Sequence, residues 1–256
     1  MQVRNIIILF AVVGVLLGAW WLSTQYPAPS AEPQGGGEET ALATPQGDLT
    51  YNEETDLYTI DITYPEVAHV AVQARIEALV DEMVTSFKAD NVSLIDTREA
   101  TRIRETGRPY QLSVEYKSYT STDFVSYEFD IYLDTGGAHP NAFYRTVTFD
   151  RAGEERTLED LFMNNAAYLP RLSEEVYPRV LAELTRRSGG APTPDMEEGV
   201  RLGTAPSPEA LQFFYLKDDS LHLLFPPYQV AAYAAGSFDI AIPLSDLRDV
   251  LKPEVK

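Results

Sequence analysis

The chain has 256 residues, with 20 Lys and Arg against 39 Asp and Glu, a formal charge of −19, and no cysteine. The missing thiols exclude a disulfide framework, a Cys-based zinc site, a thiol nucleophile and a lipid-modified cysteine. The negative charge opposes the counterion-release binding on which nucleic-acid proteins rely, while 45% hydrophobic residues are enough to build a core.

Ile6 to Leu22 is an uncharged apolar run of 17 residues, preceded by Arg4 and closed by Trp20-Trp21-Leu22. That length just suffices to span a bilayer, and paired Trp suits the membrane interface. Residues 1–24 are therefore expected to anchor the chain as a single-pass span with the C-terminal part extracytoplasmic. Cleavage as an export signal is the alternative, disfavoured by the bulky residues where a peptidase takes small ones. Residues 25–47, with four prolines and Gly35-Gly36-Gly37, read as a flexible tether. Without Arg4, Glu32, Glu38 and Glu39, the remaining 48–256 holds 19 basic and 36 acidic residues, a net of −17.

Leu57–Tyr64 alternates as a strand, and Val72, Ile76, Leu79, Met83 and Phe87 form the stripe of an amphipathic helix. Alternating runs at Tyr110–Lys117, Val125–Leu133 and Phe143–Phe149 predict an antiparallel meander with one face buried. Thr157 begins a second helical region, continued by Leu169, Leu172, Val176, Val180 and Leu184, with a bend near Pro178. Residues 188–208, rich in Pro and Gly, read as a surface excursion. Leu211–Lys217 and Leu221–Phe225 predict a hairpin over Asp218-Asp219, followed by a strand at Phe238–Ile242 and a closing helix at Leu244–Leu251. Grouped strands and helices give an α+β class: antiparallel sheets with packed helices in two adjoining subdomains, 48–135 and 136–256.

None of the three histidines, His69, His139 and His222, has a partner at metal-ligand spacing, and no nucleophile elbow, phosphate loop or dinucleotide fingerprint occurs. No catalytic residue, metal site or cofactor is assigned. His69 and His222 read as surface or satisfied histidines. Acidic doublets such as Glu197-Glu198 are expected by chance among 39 acids. The most distinctive stretch is Thr135-Gly136-Gly137-Ala138-His139-Pro140-Asn141, where paired glycines permit positive φ and Pro140 holds His139 extended. Such a loop can present His139 and Asn141 as a polar pair, or simply satisfy its own backbone.

Three motifs occur in order: Gly136-Gly137-Ala138-His139-Pro140-Asn141, Thr157-Leu158-Glu159-Asp160-Leu161-Phe162, and Phe225-Pro226-Pro227-Tyr228 continuing to Gly236. This succession resembles the PdaC/RsiV-like superfamily, extracytoplasmic α+β module pairs of peptidoglycan deacetylases and anti-sigma factors. The resemblance implies cell-wall glycan, or a cationic wall-active protein such as lysozyme, as ligand. It marks Gly136, Gly137, His139, Pro140, Asn141 and Tyr228 as candidate ligand-binding residues. The deacetylase chemistry of the family resides in a further metal-binding domain for which no matching stretch is found, and only Met1–Asn5 precede the apolar run. Neither deacetylation nor sigma-factor binding is carried over. A glycan hydrolase or esterase with an unrecognised carboxylate pair is the catalytic alternative, and an inert envelope spacer the structural one. Alternation places most strand aromatics on the core face, where they cannot stack on sugars.

Overall fold

The computed structural model describes residues 41–164 and 167–255; the apolar run Ile6–Leu22 lies outside them. No helix among the described residues is long and apolar enough to cross a membrane.

A six-stranded sheet runs in the order β1 (Pro45–Glu54), β2 (Tyr58–Val67), β3 (Tyr110–Thr120), β4 (Phe124–Asp134), β5 (Asn141–Asp150) and β6 (Glu155–Arg156). The β2–β3 pair is parallel and the rest antiparallel, so the sheet is mixed, with the expected antiparallel meander as its β3–β4–β5 part. A parallel pair needs a crossover, supplied by α1 (Val70–Asp90) and α2 (Thr97–Thr106). The α1 stripe Val72, Ile76, Leu79, Val80, Met83, Val84 and Phe87 is buried against Ile60, Ile62, Val114, Tyr127 and Phe129 of the sheet. Each such side chain contributes about 1.5–3 kcal/mol by leaving water. His69 is the N-cap of α1, its ring nitrogen accepting from the Val72 amide.

A second sheet, β7 (Phe214–Lys217), β8 (Ser220–Phe225) and β9 (Phe238–Pro243), packs on α3 (Tyr168–Ser188). Leu172, Val176, Val180 and Leu184 of α3 meet Leu216, Leu221, Leu223, Phe238, Ile240 and Ile242 in a second core. The helix runs through Pro178 without a break in assignment. The β7–β8 turn lies at Asp218-Asp219, with Asp218 at φ +49°.

β7 crosses the far face of the first sheet. The Leu216 amide donates to Ser126 Oγ (3.0 Å), Ser126 Oγ lies 2.8 Å from Thr148 Oγ1, and the Phe214 amide donates to Thr146 Oγ1 (3.2 Å). Ser126 and Thr148 are fully buried, and Phe124 joins the second core. β4 is therefore buried on both faces over its first half, not on one.

Several sequence expectations are corrected. The tether stops short of residue 47: Ala43 is 7% exposed, its carbonyl accepts from the Tyr127 hydroxyl, and β1 starts at Pro45. As an edge strand with polar residues on both faces, β1 carries little apolar alternation. The 188–208 excursion contains α4 (Pro194–Gly203), capped by Thr193 and started by Pro194, with Val200 buried. The helix expected from Thr157 is a single 3-10 turn, Glu159–Leu161, in which the Thr157 and Asp160 side chains cap one another's amides. The closing helix shrinks to a 3-10 turn at Leu244–Leu247. The expected module boundary at 135/136 falls in the β4–β5 connection, so β5 completes the sheet begun by the preceding strands.

Candidate functional site

The β4–β5 loop is held from below by α2. Gly136 has φ +75° and its amide donates to Asp134 Oδ1 (2.8 Å). A Cβ there would stand 2.5 Å from Arg102 Nη2. Arg102 is fixed by two bonds to Glu99 (2.9 and 2.6 Å), which also accepts from the Tyr110 hydroxyl (2.9 Å). These bonds, that of Arg102 foremost, pull the Glu99 carboxyl down to about 2. Gly137 is different: an added Cβ would meet only ordinary contacts and its φ is unremarkable. Of the glycine pair, only Gly136 is required by the backbone.

The opposite wall comes from the β8–β9 connection. Val230 is buried, and Gln229 Nε2 donates to the carbonyls of Gly203 (2.9 Å) and Ala210 (2.7 Å). Gly203 admits this approach because it lacks a Cβ, which would lie 2.1 Å from the Gln229 carbonyl oxygen. Clamped on that side, Tyr228 is held at φ +73° with its side chain 60% exposed. A tyrosine in left-handed backbone costs about 1–2 kcal/mol, a strain that surrounding structure must sustain.

The two walls meet at His139. Its Nε2 lies 3.0 Å from the Tyr228 hydroxyl and its Nδ1 3.0 Å from the Pro140 carbonyl. The carbonyl can only accept, which places a hydrogen on Nδ1 and leaves Nε2 of the neutral ring to accept from Tyr228. The imidazole stacks on Tyr233 at 4.2 Å and 21°, Tyr228 and Tyr233 lie 5.4 Å apart, and the Tyr233 hydroxyl donates to the Pro140 carbonyl (3.3 Å). His139, Pro140 and Tyr228 thus come together with Tyr233, which the sequence reading did not single out. Asn141 does not join them: it opens β5 opposite Leu133, and its side chain makes no hydrogen bond among the described residues. The product is an exposed aromatic platform with a polar edge, suited to stacking on a ring that also carries hydroxyls.

A second polar cluster lies where the sheets cross. Lys117 Nζ contacts Glu128 (3.1 Å) and Asp130 (2.7 Å), and the Tyr119 hydroxyl donates to Glu128 (3.0 Å). Burial raises the Glu128 carboxyl, against the opposing pull of Lys117, and raises the Tyr119 phenol to about 12. Two acids thus share one lysine, but Glu128 is 3% exposed and out of reach of any substrate. Tyr119 stacks on Tyr215 (3.8 Å), and Tyr215 on His222 (4.4 Å). Asp239 accepts from Tyr215 (2.6 Å) and lies 2.8 Å from His222 Nδ1, so its carboxyl stays below its usual value despite burial. Among the described residues no group of three or more His, Asp or Glu is placed to hold a metal ion.

With this geometry in hand, the relationships of the chain are informative. Residues 51–142 match the family model described as deacetylase PdaC, and residues 159–245 that of a protein of unknown function, DUF3298. The fold is DUF3298/PdaC-like. Solved DUF3298-family proteins from Pseudomonas aeruginosa PAO1 (15% identical, TM-score 0.57, 83% of this chain and 97% of that one) and Bacteroides fragilis (17%, TM-score 0.54, 82% and 94%) share it. The chain is also a distant homologue of peptidoglycan-N-acetylmuramic acid deacetylase PdaC of Bacillus subtilis, 28% identical over 75% of this chain. That match spans 39% of the Bacillus protein's length. Esterase Rv3036c of Mycobacterium tuberculosis is 25% identical over 94% of this chain and 96% of its own.

Proposed function

We propose that the protein is a non-catalytic binding module of the cell envelope, tethered through Ile6–Leu22, whose ligand is cell-wall glycan. The observation that carries this reading is the platform of His139, Tyr228 and Tyr233, exposed and pre-set by stacking and a strained backbone. Distant homology to a peptidoglycan deacetylase supplies the envelope setting. A platform fixed before binding loses little side-chain entropy on meeting a sugar face. The test is sedimentation of the full-length chain with purified peptidoglycan. His139→Ala and Tyr228→Ala are expected to weaken binding about fivefold or more, as truncation of aromatic anchors does. Absence of sedimentation, or indifference to both substitutions, overturns the reading. Binding of labelled lysozyme in place of glycan would assign the surface to a basic protein, which the net charge of the chain would steer.

A second reading has a specific observation behind it. His222 is oriented by Asp239 through Nδ1, while its Nε2 has no partner among the described residues and the side chain is 15% exposed. Such a pair can serve as general base: water attacks an ester carbonyl, its proton passes to Nε2 and then to the departing alkoxide. Beside it, Asp239 and Ala241 line a cleft of about 460 Å³ between β9 and α3. The full-length similarity to an esterase favours trying this. Hydrolysis of a nitrophenyl acyl ester that disappears in His222→Ala supports it; hydrolysis absent, or unchanged in that variant, removes it.

A further inference from the structure

Next to the aromatic platform, the polar face of the first sheet carries a depression of about 200 Å³. Its floor is a grid fixed by strand register. One row is Ser113, Tyr132 and Ala142, and the next is Glu115, Asp130 and Tyr144. Ala142 lies three residues beyond His139, one residue inside the start of β5. The depression therefore lies at the end of the β4–β5 pair from which the His139 loop leaves.

Two features of this hollow ask for a ligand of definite chemistry. The first is aromatic. Tyr132, 39% exposed, and Tyr144 project from neighbouring rows on the polar face. Period-two alternation sends Tyr132 opposite to Ile131 and Leu133, and Tyr144 opposite to Phe143. The second is charge. Glu115 and Asp130 stand directly across from one another, a like-charge pair that destabilises a sheet unless something neutralises it. In the following row Lys117 faces Glu128, and it reaches back to Asp130. Glu128 and Asp130 thus share one ammonium, and Glu115 has no ionic partner among the described residues.

We infer that this depression is a second saccharide subsite, selective for a pyranose bearing a free amino group. The tyrosines take the apolar face of the ring, Ser113 and Asp130 accept from its hydroxyls, and the ammonium falls between Glu115 and Asp130. An N-acetylated sugar offers the same ring and no charge. The inference rests on the glycan-binding reading of the platform and adds to it a preference for deacetylated over acetylated glycan.

The test is titration of the full-length chain with a glucosamine pentamer and with its fully N-acetylated counterpart, at a pH where the amines are protonated. An exposed ion pair is worth at most about a fivefold change in affinity, so two predict a preference of about five- to twentyfold for the free amine. High salt should compress that preference. Glu115→Gln, at an exposed position, is expected to remove about half of it on a logarithmic scale, and Tyr132→Ala to weaken both oligomers. An oligolysine of equal charge controls for attraction to the acidic surface as a whole. Equal affinity for both pentamers with His139→Ala still disruptive overturns this subsite and leaves the platform reading standing. A preference that survives Glu115→Gln with Asp130→Asn, or that oligolysine abolishes at equal charge concentration, also overturns it. Failure of both pentamers to bind overturns the subsite together with the platform.

Discussion

The Tyr228 hydroxyl meets Nε2 of His139 at 3.0 Å across 89 residues of chain, one partner carried by the first sheet and the other by the connection within the second. The contact depends on a tyrosine held at φ +73°, where a side chain is unfavourable and glycine is not. Tyr228→Gly and Tyr228→Ala both delete the ring and differ only in that backbone cost. The glycine variant is expected to be more stable than the alanine variant by about 1 kcal/mol in urea unfolding. Equal stabilities would mean that the backbone relaxes once the ring is gone.

The two loop glycines separate in the same way. Gly136→Ala combines positive φ with a collision against Arg102, and should cost about 1–2 kcal/mol and loosen the His139 loop. Gly137→Ala makes only an ordinary contact with the His139 carbonyl oxygen (3.8 Å) and should stay within about 0.5 kcal/mol of the native protein. Thermal melts of the pair, read beside glycan binding, check both.

Acid should release the same loop from below. The Glu99 carboxyl titrates at about 2 in the folded chain, against an ordinary value of 4.5, because it is bonded to Arg102 and Tyr110. A depressed carboxyl stabilises the fold above its unfolded value and loses that contribution as the pH falls through the folded one. Between about pH 4.5 and 2 the Arg102 anchor under Gly136 should therefore weaken. The Gly136 amide resonance would report it, and Glu99→Gln should erase the pH dependence while leaving the loop loosened throughout.

The seam between the sheets is hydroxylic. Ser126→Ala leaves the Leu216 amide facing a buried methyl group, and should cost about 1–3 kcal/mol. Retention of full stability would show that Thr148 or water takes over the amide.

Most of this fold is visible in the periodicity of the chain. The α1 stripe, the β3–β5 runs and the β7–β8 hairpin all lie where hydrophobic spacing puts them, because each turns a continuous apolar face to a core. What the pattern conceals has a common cause. β1 is an edge strand without an apolar stripe, and Ile103 of α2 and Val200 of α4 are the large apolar side chains those short helices bury, so none shows the long run of recurring apolar positions that marks α1. The loop glycines and Pro140 make the His139 loop stand out in the sequence, since their geometry is local. Tyr233 and the register that sets Glu115 and Tyr144 on either side of Asp130 were not legible, because they follow from strand pairing and from the packing of distant segments. Pro194 after Thr193 was a legible start signal for α4 that the surrounding glycines masked.

Because hydroxyl groups bolt β7 to β4 and β5, the two hydrophobic cores share a boundary that neither can leave alone. A sugar chain held jointly by His139 and Tyr228 would bind only the state in which both cores are formed. Occupancy at one exposed edge would then slow hydrogen exchange in α1 and α3 alike, making the molecule report its ligand as a single cooperative unit.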